Sequence, residues 1–140
     1  MFETDIIIIG AGPVGLFAVF EAGLLKLRCH LIDSLPQPGG QCSEIYPKKP
    51  IYDIPGFASV LAGELIDNLM EQAAPFKPGF TLGEAAQDIE KLEDGTFIVT
   101  TVKGTKHSLA VFFTISIIVS LFSFDAVMSK KHISSAPLSL

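Results

Sequence analysis

Hydrophobic and polar positions follow three different patterns along this chain, and each predicts a different element. Ile6 to Ile9 are four consecutive β-branched residues, a run that suits a parallel strand covered on both faces. Beyond Gly10 the stretch Leu16-Phe-Ala-Val-Phe-Glu-Ala combines good helix formers with an apolar face, and Cys29 to Ile32 reads as a second buried strand. Leu61, Leu65, Leu69 and Ala73 recur every four residues with Glu64, Asp67 and Glu71 between them, which predicts an amphipathic helix over 61–73. Pro75 and Pro78 should end it. After Gly83 the period shortens: 88–92 and 97–102 read as strands joined across Glu93-Asp94-Gly95, where Asp-Gly supplies the positive φ of a tight hairpin. A second turn at Lys103-Gly104 starts a third strand. The pattern is a βαβ unit followed by a small antiparallel meander.

Two stretches break it. From Leu35 to Phe57 the chain carries Pro36, Pro38, Gly39, Gly40, Pro47, Pro50, Pro55 and Gly56, which excludes regular helix and central strand and predicts a long ordered loop. Ile45, Tyr46, Ile51, Tyr52, Ile54 and Phe57 are anchors a solvated linker would lack. From His107 to Phe124 there is no charged residue, and every odd position from Leu109 to Leu121 is apolar. The alternation favours a strand that continues the meander at least to Phe113. The same run of eighteen residues only just reaches the length of a membrane helix, about 18 to 20 residues, and its five serines and threonines weaken that reading. All twelve glycines lie at or before Gly104, while eight of eleven serines lie at or after Ser108. This break sets a boundary near 107/108: a nucleotide-binding portion over 1–107 and a divergent tail over 108–140, whose end from Met128 is expected to be disordered.

Composition narrows the classes. With 140 residues the chain holds one domain with a sizeable core, and a complete oxidoreductase with two nucleotide sites does not fit. A net charge of −5 argues against nucleic acid as a partner. Cys29 and Cys42 make neither a Cys-x-x-Cys pair nor a zinc spacing, so they read as reduced thiols of a cytoplasmic protein. No basic leader precedes the first strand, since Glu3 and Asp5 stand there. His30, His107 and His132 have no neighbours at ligand spacing, and no metal site is expected.

The chemistry sits in Gly10-Ala-Gly12-Pro13-Val14-Gly15. Gly10 allows the reversal after the strand, Gly12 lets a pyrophosphate approach the backbone, and Gly15 lets the helix pack close to the strand. Amides at the helix start, helped by its dipole, face an anion. Asp33 follows Gly10 by 23 residues at the end of the second strand, where a carboxylate accepts hydrogen bonds from ribose hydroxyls. Strand, turn, helix, strand and terminal acid together predict an α/β, Rossmann-like dinucleotide-binding unit.

Gly39-Gly40-Gln41-Cys42-Ser43-Glu44-Ile45-Tyr46-Pro47 and Ile51-Tyr52-Asp53-Ile54-Pro55-Gly56-Phe57 closely resemble the ferredoxin–NADP reductases of the thioredoxin-reductase-like type, homodimeric bacterial flavoproteins. The resemblance runs from about Thr4 to Lys106. It implies that the glycine turn, Gly10, Gly12, Pro13, Val14 and Gly15, holds FAD and not the nicotinamide cofactor. It also implies that Asp33 binds the adenosine ribose, that Gly40, Gln41 and Tyr46 reach the flavin end, and that the backbone near Ala86 meets the adenine. NADPH would reduce the flavin, which would pass single electrons to ferredoxin or flavodoxin, with no catalytic acid or base in the protein.

Family members are more than twice as long and place a glycine-turn domain for NADPH after the meander. No such domain follows here, and the tail from about Ser108 reads as foreign sequence. The chain is therefore expected to be a truncated FAD-binding domain, inactive alone in NADPH turnover. A non-catalytic nucleotide-binding remnant and a membrane-tethered nucleotide-binding module are the alternatives.

Overall fold

The computed structural model describes residues 2–114. Its strands and helices follow in the order β1 (Phe2–Ile9), α1 (Pro13–Leu24), β2 (Cys29–Asp33), α2 (Gln41–Glu44), β3 (Pro50–Ile51), β4 (Val60–Leu61), α3 (Ala62–Ala73), β5 (Gly79–Leu82), β6 (Ala86–Lys91), β7 (Phe97–Thr101) and β8 (Lys106–Thr114). One six-stranded sheet has the order β5-β2-β1-β8-β7-β6, parallel from β5 through β8 and antiparallel from β8 to β6.

The isoleucine run explains the sheet's centre. Successive side chains of a strand point to opposite faces, so Ile8 enters one core with Leu16, Val19, Leu31 and Ile66, and Ile7 enters another with Ile32, Val99 and Leu109. Helices α1 and α3 cover the first face, and the meander strands supply the second. Burying one such side chain contributes about 1.5–3 kcal/mol. The run needs apolar residues at every position because both faces are covered.

Several boundaries differ from the reading of the sequence. Strand β1 starts at Phe2 rather than Ile6; Glu3 is exposed, so the apolar run marks only the doubly covered half. Arg28 ties that outer half to the start of β2: its guanidinium donates to both oxygens of Asp5 at 3.0 and 3.1 Å, and its amide donates to the same carboxylate. Those bonds hold the Asp5 carboxyl at about 2.

The long loop is not free of regular structure. It contains the single turn α2 and the strand β3, paired antiparallel with β4. Prolines flank residues 41–46 without entering them, which leaves room for one turn. Helix α3 begins at Ala62, and its buried residues are Ala62, Leu65, Ile66 and Ala73, with Leu61 half exposed at the cap. A strict period of four overruns the helical 3.6. Pro75 does not stop the helix abruptly, because it lies within a 3-10 turn over Ala74–Phe76.

Strand β5 was not legible from periodicity: four residues between Pro78 and Gly83 give too short a window. It pairs in parallel with β2, placing Gly79 opposite His30, and a Cβ on Gly79 would collide with the imidazole ring. The meander is present as expected, but it is not an appendage. Its third strand, β8, is also the parallel neighbour of β1, through pairs from Phe2–His107 to Ile9–Thr114. Strand β8 thus runs across the composition break at 108. The divergent tail from 115 and the expected disorder from Met128 lie outside the described residues. Among the described residues no helix is long and apolar enough to cross a membrane.

Candidate functional site: a glycine turn facing a second glycine loop

The parallel strands β1 and β2 end side by side, and the candidate site forms around their carboxyl ends. Gly10 takes φ +107°, a left-handed conformation that glycine adopts without strain, and its amide donates to the Ile32 carbonyl at 2.8 Å. The chain then enters α1 with Gly12 at the N-cap and Pro13 in the first turn. No side chain caps this helix and no acid stands in its first turn. Proline removes one amide, and the remaining first-turn amides have no intrahelical acceptor. A helix that starts without a capping side chain offers its amides and dipole to an anion.

The glycines of the turn have different physical reasons. Gly12 has φ −75°, which any residue adopts, and a Cβ built there meets nothing within 4 Å. What glycine provides at 12 is open space. At Gly15 a Cβ would strike the Gly10 carbonyl, so glycine there is a packing requirement between helix and strand. Val14 points outward, about one third exposed.

Asp33 does more than its position suggested. One carboxylate oxygen accepts the Ala11 amide at 2.6 Å and the other accepts the Leu35 amide at 2.9 Å. The carboxylate therefore anchors the glycine turn to the end of β2, and each oxygen keeps a second lone pair for another donor. Ala11 is fully buried. Replacing Asp33 with alanine strands that amide, which should cost about 1–3 kcal/mol; chemical denaturation should show this loss with no ligand present. An unchanged midpoint would mean that the carboxylate does not hold the turn.

A second glycine loop closes on the first. The Gly39 amide donates to the Ala11 carbonyl at 2.7 Å, and a Cβ at Gly40 would lie 3.5 Å from the Gly12 Cα. Gly40 has φ +58° and caps α2, whose first residue is Gln41. The Tyr46 hydroxyl donates to Gln41 Oε1 at 3.2 Å, and the Lys49 ammonium stands 5.1 Å from the Tyr46 ring centre. An open cleft of about 420 Å³ beside them is lined by Cys42, Tyr46, Lys49, Pro50, Ile51, Tyr52 and Asp53. Thus Gly10, Gly12, Pro13, Val14, Gly15, Asp33 and Gly40 form one neighbourhood, and Gln41 and Tyr46 extend it toward the cleft. Ala86 is more distant in the chain, at the start of β6, but packs against the same apolar cluster as Ile9.

Spacing rules concealed one cluster. His30 Nε2 lies 2.8 Å and His107 Nε2 3.3 Å from Thr81 Oγ1, and the two ring centres are 4.5 Å apart. The residues come from β2, β8 and β5, 77 positions apart at most along the chain, so no local pattern joins them. Burial, with the charge of His107, pushes His30 down to about 4; burial likewise lowers His107, against the pull of Glu84. Among the described residues no group of His, Cys, Asp or Glu could hold a metal. The Cys29 thiol is buried and pushed up to about 11 by burial and by Asp5, and burial raises Cys42. Neither thiol is poised as a nucleophile.

Residues 8–70 match the NAD(P)-binding Rossmann-like domain family. The chain is 79% identical over 107 residues, 76% of its length, to ferredoxin–NADP reductase 1 of Christiangramia forsetii. It is 69% identical over 125 residues, 89% of its length, to a ferredoxin–NADP reductase of Flavobacterium johnsoniae. These matches cover 30% and 35% of the two relatives, so the chain spans about a third of their length. Its fold is that of part of a thioredoxin reductase from T. acidophilum, with a TM-score of 0.69, 23% identity, and coverage of 81% of this chain and 35% of that one. A cyclohexanone monooxygenase shares the fold at a TM-score of 0.65 and 20% identity, over 81% of this chain and 27% of that one.

Proposed function

We propose that this chain is the FAD-holding part of an oxidoreductase of the ferredoxin–NADP reductase type. The observation that carries this reading is the open backbone at Gly12, on an uncapped helix start, with Asp33 anchored behind it and the Gly39-Gly40 loop closing from the other side. A dinucleotide pyrophosphate fits that arrangement, because it needs close backbone approach and unpaired amides. The choice of FAD among dinucleotides rests on the resemblance of the Gly39–Pro47 and Ile51–Phe57 stretches to flavoproteins of that type.

In this reading residues 1–107 belong to the FAD-binding domain. The amides of Val14 and Gly15 meet the pyrophosphate. The Asp33 lone pairs not used by Ala11 and Leu35 accept the ribose hydroxyls. Gly40, Gln41 and Tyr46 border the flavin end, where the cleft with Lys49 and Tyr52 opens, and the backbone at Ala86 meets the adenine. Bound FAD would supply the hydride and single-electron chemistry; the protein groups bind and orient it, and none is assigned proton transfer. The partners of the whole enzyme are NADPH and ferredoxin or flavodoxin, and its assembly is a homodimer. Hydride exchange between two dinucleotides needs two such sites, and these 140 residues contain one glycine fingerprint. Alone, they bind; turnover belongs to an assembly that provides the second.

The test is the visible spectrum of the purified chain after incubation with FAD and removal of free flavin. Retained flavin absorbance, competed away by ADP, is the expected result. A colourless folded protein would overturn the reading for this chain.

A further inference from the structure

The two edges of the sheet are joined by three residues. Strands β5 and β6 stand at opposite ends of the order β5-β2-β1-β8-β7-β6, yet only Gly83, Glu84 and Ala85 connect them. Six strands laid flat would hold their edges about 24 Å apart, and the steps from Leu82 to Ala86 reach about 14 Å at most. The sheet is therefore curled, with the meander folded over one face of the parallel strands, where Ile7 and Ile32 share a core with Val99 and Leu109. Glu84 is the middle residue of the segment that closes the curl.

Its backbone and its side chain are bonded to different halves of the closure. The Glu84 amide donates to the Asp33 carbonyl at 3.1 Å, and the Gly83 amide donates to the Leu35 carbonyl at 2.9 Å. This half is tied to the end of β2, where the Asp33 carboxylate holds the glycine turn. On the other half, the buried Thr101 hydroxyl donates to Glu84 Oε2 at 2.6 Å and accepts the Thr105 amide at 3.2 Å. Lys103 Nζ stands 4.0 Å from Glu84 Oε1. Bonds from Thr101 and Thr105, with the Lys103 charge nearby, hold the Glu84 carboxyl below its ordinary value. Thr101 in turn pairs with Ala86, just before the ladder between β6 and β7 slips ahead of Asp88, and the Val102 amide donates to the Ala85 carbonyl at 2.9 Å.

We infer that Glu84 is a positioning residue for the adenosine end of the dinucleotide, setting the distance between Asp33, which meets the ribose, and the Ala86 backbone, which meets the base. The inference rests on the proposed binding of FAD. Backbone groups read a base only when they stand at a fixed distance from the ribose anchor, because hydrogen bonds weaken steeply away from their preferred geometry. Charge-assisted bonds to a carboxylate fix such a distance better than neutral ones. Without the Glu84 carboxylate the turn between β7 and β8 is released from β2, and Ala86 shifts relative to Asp33. The ribose and pyrophosphate contacts stay.

Competition against bound FAD separates this role from a general loss of stability. The probes are ADP and IDP, which share ribose and pyrophosphate and differ in the base, hypoxanthine having a carbonyl in place of the adenine amino group. The parent chain should favour ADP. Glu84→Ala should lower that preference at least threefold, in protein whose far-UV circular dichroism matches the parent. Glu84→Gln keeps an acceptor for the Thr101 hydroxyl and should keep most of the preference. Thr101→Val, which tests the same bond if Glu84→Ala does not fold, should lower the preference in the same direction and add little in the Glu84→Ala background. A parent that binds ADP and IDP equally, or variants that weaken both equally, overturn the inference and leave FAD binding standing. A parent that retains no flavin overturns the FAD reading, and the inference falls with it.

Discussion

Alanine at Gly12 should abolish flavin retention while leaving the fold nearly as stable as before, and alanine at Gly15 should do its damage to the fold itself. The two glycines sit three residues apart in one turn and look equivalent in a sequence fingerprint. At Gly12 the backbone is in an ordinary extended conformation and the added methyl meets no atom within 4 Å. The stability change has two opposing parts. Alanine is a poorer N-cap than glycine, and it lowers the entropy of the unfolded chain by about 0.4–1 kcal/mol. The sum should lie within about 1 kcal/mol of zero. The methyl would nevertheless stand where a pyrophosphate needs bare backbone, and a loss of at least tenfold in affinity, about 1.4 kcal/mol, is the expected result.

At Gly15 the methyl would overlap the Gly10 carbonyl, backbone that cannot rotate away. Helix α1 must then lift from β1, loosening Leu16 and Val19 against Ile8. Overpacking of this kind costs about 1–3 kcal/mol. Urea midpoints and flavin retention measured on both variants separate the two effects. If Gly12→Ala keeps flavin as tightly as the parent chain, the open space at Gly12 is not a phosphate site and the proposed function loses its main support.

The sequence disclosed those features in which local chemistry and tertiary role coincide. Ile6–Ile9 must be covered on both faces, and it is; the glycine turn, Asp33 and the Asp94-Gly95 hairpin stand where their spacing put them. The failures share one cause. Strand β5 exists because β2 offers an edge to Gly79–Leu82, not because those residues have a period. The second role of Asp33, bonding Ala11 and Leu35, depends on a turn 22 residues away. The Gly39 contact to Ala11 and the histidine cluster likewise require the sheet to exist first. Strand β8 shows the limit of composition: glycine content and serine content change at 108, yet the hydrogen-bond ladder continues to Thr114. Within a sheet, apolar alternation and an open neighbouring strand decide the outcome, and both were available to residues 108–114.

Mild acid should weaken the fold through His30 and His107 before it affects any carboxylate. On the meander side of the parallel strands, His30, Thr81 and His107 form a cluster in which His107 is buried and the other two are half-buried. Burial and the neighbouring ring hold His30 at about 4, against 6.5 in an unfolded chain, and burial lowers His107 in the same direction. The folded protein thus keeps both rings neutral while the unfolded chain takes up protons. Stability contributed by the neutral rings is fully present above pH 6.5. It falls as the pH drops below that value and levels off near 4 for His30. Asp5, held at about 2 by Arg28, loses its contribution only below its ordinary 3.8, and Glu84, also lowered by hydrogen bonds to Thr101 and Thr105, does so below 4.5. The interval from 6.5 to 4.5 therefore isolates the histidines. Urea midpoints at pH 7.5 and pH 5 should differ clearly in the parent chain and little in a His30→Gln, His107→Gln double variant. An equal drop in that variant would assign the acid sensitivity to other groups, and an unchanged parent midpoint would mean that the cluster accepts protons in the folded state.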